Sequence, residues 1–154
     1  MTPLFKKDLE KDSIDTLERK MIRTLALHRE IQKLLEAEYE AGNNFDTRTL
    51  EKLTLRKNNC INRLEHLVGA IRDQMKRMVT EKLPNTCPRT LANRLKAIPG
   101  ITPEREANLL PLAREIEAEN RIMIEATRRN MAMFKKTMDR IWAVSKYAKQ
   151  GAKV

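Results

Sequence analysis

The sequence predicts an all-α fold, an elongated antiparallel bundle of three long, coiled-coil-like helices with a short helical connector between helices two and three. Apolar residues recur every three or four positions over long stretches, which places them on one face of a helix. Five of the six prolines fall between positions 84 and 111, so the long stretches on either side have no internal helix breaker. No segment alternates apolar and polar residues as a half-buried strand does. We therefore expect one helical domain over residues 1–154.

Helix one is predicted over about residues 8–41. Its apolar stripe consists of Ile14, Leu17, Met21, Leu25, Ile31, Leu35 and Tyr39. His28 falls on the same seam, where a packed or rim histidine is expected rather than a catalytic base. The run Gly42-Asn43-Asn44 ends the helix, because Gly and Asn tolerate the left-handed conformation that often follows a helix.

Helix two is predicted over about residues 46–83. Asp46 or Thr47 can accept a hydrogen bond from the free amides of its first turn, and Pro84 stops it. Its apolar stripe consists of Leu50, Leu53, Cys60, Leu64, Leu67, Ile71, Met75 and Met78. This spacing approximates a heptad seam that is interrupted at Lys57.

The proline-rich connector covers residues 84–110. Leu91, Leu95 and Ile98 indicate a short helix within it, and Thr102 followed by Pro103 is typical of a helix start. Helix three is predicted over about residues 111–148. Its apolar stripe consists of Leu112, Ile116, Met123, Met131, Phe134, Met138 and Ile141.

Composition and charge narrow the class of protein. The chain has 31 Lys and Arg against 21 Asp and Glu, a formal charge of +10, and an excess of seven basic residues lies within residues 121–154. The start lacks the apolar run of a signal peptide, and no apolar stretch is long enough to span a membrane. Two cysteines, Cys60 and Cys87, fit a reducing compartment rather than a disulfide scaffold. A secreted or membrane-spanning protein is therefore not expected, and nucleic acid is the first partner that the charge suggests.

Signals for catalysis, cofactors or metals are missing from the sequence. The two histidines, His28 and His66, form no ligand cluster with cysteines, and the interval between Cys60 and Cys87 matches no zinc spacing. No glycine-rich phosphate loop or nucleophile elbow occurs. We therefore predict that the protein is not an enzyme and has no cofactor and no metal.

Residues 95–110 resemble a helix-hairpin-helix DNA-binding element, in which a Gly-apolar-Gly turn opens a helix whose amides hold a phosphate. Here Thr102 replaces the second glycine, and Glu104 and Glu106 put negative charge on the first turn. These departures favour a proline-stiffened connector and argue against nucleic acid as the partner.

The end of helix three is the better candidate for a binding site. It gathers the only Trp and several Met and aromatic residues, types that are common where binding energy concentrates. The candidate client-binding residues are Met131, Met138, Ile141, Trp142, Val144 and Tyr147. Phe134 is assigned to the core, and Trp142, Val144 and Tyr147 fall partly off the core stripe.

The order of these segments resembles the FlgN family of flagellar type III export chaperones over nearly the whole chain. The residues that match its first helical hairpin are Leu34-Leu35-Glu36-Ala37-Glu38, Asp46, Leu50-Glu51-Lys52-Leu53, Lys57 and Leu64-Glu65-His66-Leu67. Those that follow are Thr90-Leu91, Ile116-Glu117-Ala118-Glu119-Asn120-Arg121-Ile122-Met123-Ile124, Tyr147 and Gly151. The chain departs from the family at Glu117 and Asn120, where two asparagines three apart are frequent, and in its basic charge, because such chaperones are commonly acidic.

The resemblance implies a non-enzymatic, cytoplasmic bacterial chaperone that binds the hook–filament junction proteins FlgK and FlgL and delivers them to the flagellar export apparatus. The clients would offer amphipathic C-terminal helices for helix-to-helix packing. Two other functions stay open: a basic nucleic-acid-binding adaptor that uses residues 95–110, and a helical tether that dimerises through its apolar stripes. The oligomeric state does not follow from the sequence.

Overall fold

The computed structural model describes residues 13–79 and 90–151, which form four α-helices and no strand. The helices are α1 (Ile14–Asn43), α2 (Thr47–Met78), α3 (Leu91–Lys96) and α4 (Pro103–Gly151). The all-α class predicted from the sequence is therefore confirmed. The predicted first turns of helix one, the predicted end of helix two near residue 83, and Cys87 lie outside the described residues.

Each described helix start is capped by a side-chain oxygen, as the sequence signals predict. Ser13 accepts from the amide of Thr16 at 3.2 Å, Asp46 from Thr49 at 3.2 Å, and Thr90 from Asn93 at 3.2 Å. Thr102 accepts from the amide of Arg105 at 3.3 Å, with Pro103 at the first helical position. Between the two possible caps of the second helix, the structure uses Asp46 rather than Thr47.

The turn between α1 and α2 differs in detail from the prediction. The first helix ends at Asn43, as expected, and the amide of Asn44 donates to the carbonyl of Glu40. The left-handed residue, however, is Phe45 with φ of 57°, rather than a Gly or Asn. Gly42 lies inside the helix, and its missing side chain leaves the space that the Met133 thioether occupies.

The last helix begins at Pro103 rather than near residue 111, so the predicted connector over residues 84–110 ends earlier than expected. Pro111 lies within α4, where it removes one backbone donor. The helix continues across it because Leu109 and Ala113 are both buried while Pro111 itself is exposed. Burial on both sides outweighs the missing hydrogen bond.

The first helix is central to the packing. It contacts both α2 and α4 along its length, whereas α2 and α4 approach each other closely at few points. Gln74 donates to the carbonyl of Ser13 at 2.9 Å, which shows that α1 and α2 run in opposite directions. Arg105 pairs with Glu18 near the start of α4, and Arg129 pairs with Glu36 further along, so α1 and α4 run in the same direction.

Within the described part of the chain, two apolar clusters form the core. The first joins α1, α2, α3 and α4 and contains Leu17, Met21, Leu25, Ile71, Met75, Leu95, Ile98, Leu109, Ala113 and Ile116. The second joins α1 and α2, with Met123 and Ala126 of α4 packed against it, and contains Ile31, Leu34, Leu35, Cys60 and Leu64. The predicted stripes of helices one and two are confirmed, because every member is buried or half-buried.

The predicted stripe of the third long helix is only partly correct, because Phe134 is half-buried as expected but other members of its second part are not buried. Ile116 is buried and Met123 is half-buried, but Met131, Met138 and Ile141 are exposed. The buried positions in this part of α4 are Asn130 and Met133. The apolar pattern predicted that Met131 is buried, but the structure buries its neighbour Asn130 instead. Position 130 faces a buried carboxylate that needs a hydrogen-bond donor, and the side chain of Asn130 supplies one.

That carboxylate belongs to Glu38, whose side chain is fully buried. Lys57 Nζ lies 2.9 Å from Glu38 Oε2, and Thr54 donates to the same oxygen at 2.9 Å. Asn130 Nδ2 donates to Glu38 Oε1 at 2.9 Å and to the Leu35 carbonyl at 2.8 Å. Residues of α1, α2 and α4 thus meet in one polar node, here defined as Glu38, Thr54, Lys57 and Asn130. The apolar seam of α2 is interrupted at Lys57 because this side chain belongs to the node.

Candidate functional site

All six residues predicted to bind a client are exposed on the C-terminal part of α4. Their exposed fractions run from 44% for Ile141 to 76% for Tyr147, with Trp142 at 73%. Phe134, which the sequence assigns to the core, is half-buried. Exposed apolar side chains of this size gathered on one segment are typical of a binding surface.

Three of the six residues continue the side of α4 that faces α1. Ile141 and Val144 follow the buried Asn130 and Met133 in steps of three and four by way of Thr137, and such steps keep residues on one helix face. The α1–α2 turn reaches only as far as Arg140, whose guanidinium lies 5.9 Å from the Phe45 ring. Ile141, Val144 and Tyr147, here called the terminal stripe, are therefore exposed because α1 has ended.

The other three residues lie on a different side of α4. Met131, Met138 and Trp142 are separated by steps of seven and four, and one step of seven back from Met131 leads to Ile124, which is 41% exposed. These four residues, here called the outer stripe, share one face of the helix. The sequence prediction missed Ile124, although the heptad spacing of the methionines was a signal that could have found it.

A row of basic residues runs beside the outer stripe. Arg121, Arg128 and Lys135, here called the basic row, are exposed and spaced by seven. Each lies three or four positions from a member of the outer stripe, so the two lines are neighbours on the helix surface. Within residues 13–79 and 90–151, none of the three forms an ion pair, whereas Arg105 and Arg129 of the same helix do.

A groove of about 520 Å³ lies between α2 and α4, and sequence reasoning did not predict it. Thr24 and His28 of α1 contribute to its lining, and α3 contributes Thr90, Leu91 and Arg94. The remaining lining residues come from the two flanking helices and are Leu64, Val68, Ile71, Arg72, Met75, Ile116, Glu117, Asn120 and Arg121. A sequence cannot show such a groove, because it depends on the separation between two helices that both pack on a third.

His28 is 1% exposed, as expected for a packed histidine, and its Nδ1 has no hydrogen-bond partner among the described residues. Burial lowers the pKa of this imidazole below its ordinary value, and the nearby carboxylate of Glu119 opposes the shift. The charged form is disfavoured because the buried ring loses its hydration. His28 is therefore neutral at pH 7.

We expect the protein to lose stability below pH 6.5 through His28. The unfolded chain takes up a proton near pH 6.5 that the folded chain binds only at lower pH, so the free energy of unfolding falls by up to about 1.4 kcal/mol per pH unit in that window. Urea unfolding of wild type and His28→Gln between pH 7.5 and 5.0 measures this difference. The control variant His66→Gln, which removes the exposed histidine, should lose stability with falling pH as the wild type does. If His28→Gln showed the same pH slope as the wild type, the loss could not be assigned to His28.

The segment that resembles a helix-hairpin-helix element is part of the core. Leu95, Ile98 and Leu109 are buried in the first apolar cluster. The amide of Arg105 at the start of α4 already donates to Thr102, and the Arg105 guanidinium pairs with Asp15 and Glu18. The amide and the arginine that a phosphate would use both have partners within the protein.

Metal clusters, reactive thiols and membrane-spanning helices are other features that could indicate a function in the described part of the chain. No group of three or more His, Cys, Asp or Glu side chains is arranged to hold a metal ion within residues 13–79 and 90–151. Cys60 is a free, buried thiol whose pKa is raised, mainly by burial. None of the described helices combines the length and apolar character needed to cross a membrane.

Comparisons with known proteins give no match: no protein-family model, no curated protein and no solved structure matches this chain. The resemblance to the FlgN family therefore stays a prediction from the sequence.

Proposed function

We propose that the chain is a non-enzymatic export chaperone of the FlgN type in the bacterial cytoplasm. It binds the amphipathic C-terminal helices of hook–filament junction proteins of the FlgK and FlgL type and delivers them to the flagellar export apparatus. The observation that carries the proposal is the exposed apolar and basic surface on the C-terminal part of α4. The identity of the client is taken from the FlgN family, which the order of the sequence segments resembles.

The chemistry of this surface fits a client that is bound and then released. Met131 and Met138 are flexible and polarizable, so they adapt to clients of different shape. Trp142 and Tyr147 each offer a large apolar area with a polar group at the ring. A surface that relies on a few such anchors gives specific binding of moderate affinity, which suits a chaperone that must hand its client on.

Binding to a client segment tests the proposal directly. The intact protein is titrated calorimetrically with the C-terminal segment of a hook–filament junction protein, and binding is expected. Trp142→Ala should weaken it by about 30-fold, the effect of about 2 kcal/mol that a central aromatic anchor has. Because Trp142 is 73% exposed, the melting temperature should not change.

The matched control is Ile22→Ala, which truncates another large exposed apolar residue, on α1. It should leave both the affinity and the melting temperature unchanged. Failure of the intact protein to bind would overturn the proposed function. Binding that is equally strong with Trp142→Ala would overturn only the placement of the site.

Nucleic-acid binding is the alternative that the basic charge suggests. Within residues 95–110, the Arg105 guanidinium is already paired with Asp15 and the Arg105 amide already donates to Thr102, so neither group is free for a phosphate. The basic row on α4, whose members form no ion pair with the described residues, is a feature that favours it. Duplex DNA is therefore included in the same titrations at low salt, where phosphate contacts are strongest, and binding that weakens steeply with added salt would favour this alternative.

A further inference from the structure

Among the described residues, the packing of the three long helices leaves one position of a four-helix bundle without a helix. Both α2 and α4 pack on α1 but make few close contacts with each other. The groove of about 520 Å³ lies between them, with Thr24 and His28 of α1 in its lining. A helix placed there would contact α2 and α4 as neighbours, which is the arrangement of a four-helix bundle.

The groove continues into the outer stripe. Asn120 lines the groove, and steps of four and seven along α4 lead from it to Ile124 and then to Met131 and Met138. These steps keep all four residues on one face of the helix. From Ile116 to Met138, this surface extends for roughly 33 Å along α4 at about 1.5 Å per residue.

The basic row continues into the groove in the same way. Arg121 lines the groove and is the first member of the row, followed by Arg128 and Lys135 at steps of seven. Arg72 and Arg94 also line the groove, from α2 and α3. Among its described lining residues, the one carboxylate is that of Glu117, which accepts a hydrogen bond from the amide of Leu91 at 2.7 Å and is thereby engaged.

The walls of the groove are apolar and its outer side is open. Leu64, Val68 and Ile71 of α2 face Ile116 of α4 across it. Arg72, Asn120 and Arg121 at its edges are exposed. An occupant with an apolar stripe and acidic flanks would match both the walls and the edges.

The charge and the shape of the groove distinguish among the molecules that could occupy it. A second copy of this chain that docked symmetrically through this face would bring its own basic row against the first, and such like charges in an interface are unfavourable. A compact small molecule would fill the groove but leave the roughly 33 Å extension along α4 uncovered. A long acidic partner covers both.

We propose that an acidic amphipathic helix of the client lies in the groove between α2 and α4 as the fourth helix of a bundle. Its apolar side packs on Val68, Ile71 and Ile116, and its carboxylates face Arg72 and the basic row. The inference rests on the proposed function and extends it, because it places the client along α2 as well as on the end of α4.

Charge reversal in the groove tests the placement. Arg72→Glu should weaken binding of the junction-protein segment at least tenfold, since it sets a carboxylate against an acidic helix. The matched control, Arg63→Glu, makes the same charge change at an exposed position of α2 that does not line the groove, and it should change the affinity by less than about twofold, as a distant surface charge does. Equal effects of the two substitutions would overturn the inference.

Methyl NMR gives a second measurement that does not depend on a variant. The resonances of Val68, Ile71 and Ile116 should shift when the segment is added to the full chain, while that of the exposed Ile22 stays in place. Unchanged groove methyls in a protein that binds the segment would overturn the groove placement and leave the proposed function standing.

A designed acidic amphipathic peptide separates the two proposals from each other. If the junction-protein segment does not bind but this peptide shifts the groove methyls, the proposed function fails and the groove still accepts an acidic helix. If the groove methyls shift when residues 1–12 are removed and no peptide is present, the occupant is the protein's own N-terminal segment. If they shift with protein concentration as a dimer forms, the occupant is a second copy. Either result would overturn the inference. If dodecanoate shifts these methyl resonances when neither peptide does, the groove binds a small apolar ligand rather than a helix, and this result would also overturn the inference.

Discussion

Replacement of Lys57 by methionine is expected to lower the free energy of unfolding by about 3–5 kcal/mol. Lys57 is the cation that balances the Glu38 carboxylate, whose side chain is fully buried, at a distance of 2.9 Å. Methionine keeps most of the side-chain volume but removes the charge. The carboxylate then stays buried, and its remaining donors among the described residues are the hydroxyl of Thr54 and the amide of Asn130. Urea unfolding followed by circular dichroism at pH 7 measures the loss.

The double variant Glu38→Met with Lys57→Met distinguishes a buried charge from lost packing. Removal of both charges should recover most of the stability, because replacing a buried ion pair by apolar residues of similar size is often neutral or favourable. Lys52→Met serves as the matched control, since Lys52 is exposed on the same helix. A cost below about 1 kcal/mol for Lys57→Met, where loss of a buried partner usually costs several, would mean that the pair contributes little.

The second large effect is expected for Leu95→Ala, which should lower the free energy of unfolding by about 3 kcal/mol. Leu95 is 1% exposed and is the buried residue of α3. Truncation removes buried methyl groups and leaves a cavity beside Ile98 and Leu109 in the first apolar cluster. Chemical denaturation gives the size of the loss, and hydrogen exchange of residues 91–101 shows whether it is local to α3.

Lys96→Ala is the control for this substitution, because Lys96 is the exposed neighbour of Leu95. It should change stability by less than about 0.5 kcal/mol. The comparison also addresses residues 95–110 as a candidate DNA-binding element. A large effect at Leu95 with none at Lys96 assigns the segment a packing role, whereas comparable small effects would contradict the buried position of Leu95.

The helical elements could be predicted from the sequence because their signals are local. Caps at Asp46 and Thr102, and apolar residues at steps of three and four, specify where helices begin and which face they bury. The continuation of α4 across Pro111 could not be predicted in this way. It depends on Leu109 and Ala113 finding neighbours in the core on either side of the proline, which is a tertiary effect that overrides a local one.

The candidate site was predictable in composition but not in geometry. The sequence located the six exposed residues at the end of α4, yet it placed Met131, Met138 and Ile141 in the core stripe as well. The structure resolves this through Asn130, which is buried because Glu38 requires a donor. A polar residue that is buried for the sake of a partner on another helix cannot be recognised from apolar periodicity, and neither can a groove that depends on the separation of α2 and α4.

The end of α4 has one more consequence. From Ile141 onward, every described residue of the helix is exposed, so these turns are held mainly by their own backbone hydrogen bonds. An isolated helix of this length would be marginal in water, because nucleation is the costly step. Here the packed part of α4 acts as the nucleus, and the last turns only propagate from it. Any partner that bound the terminal stripe would therefore meet a helix that is already formed, and it would not have to offset the entropy of folding one.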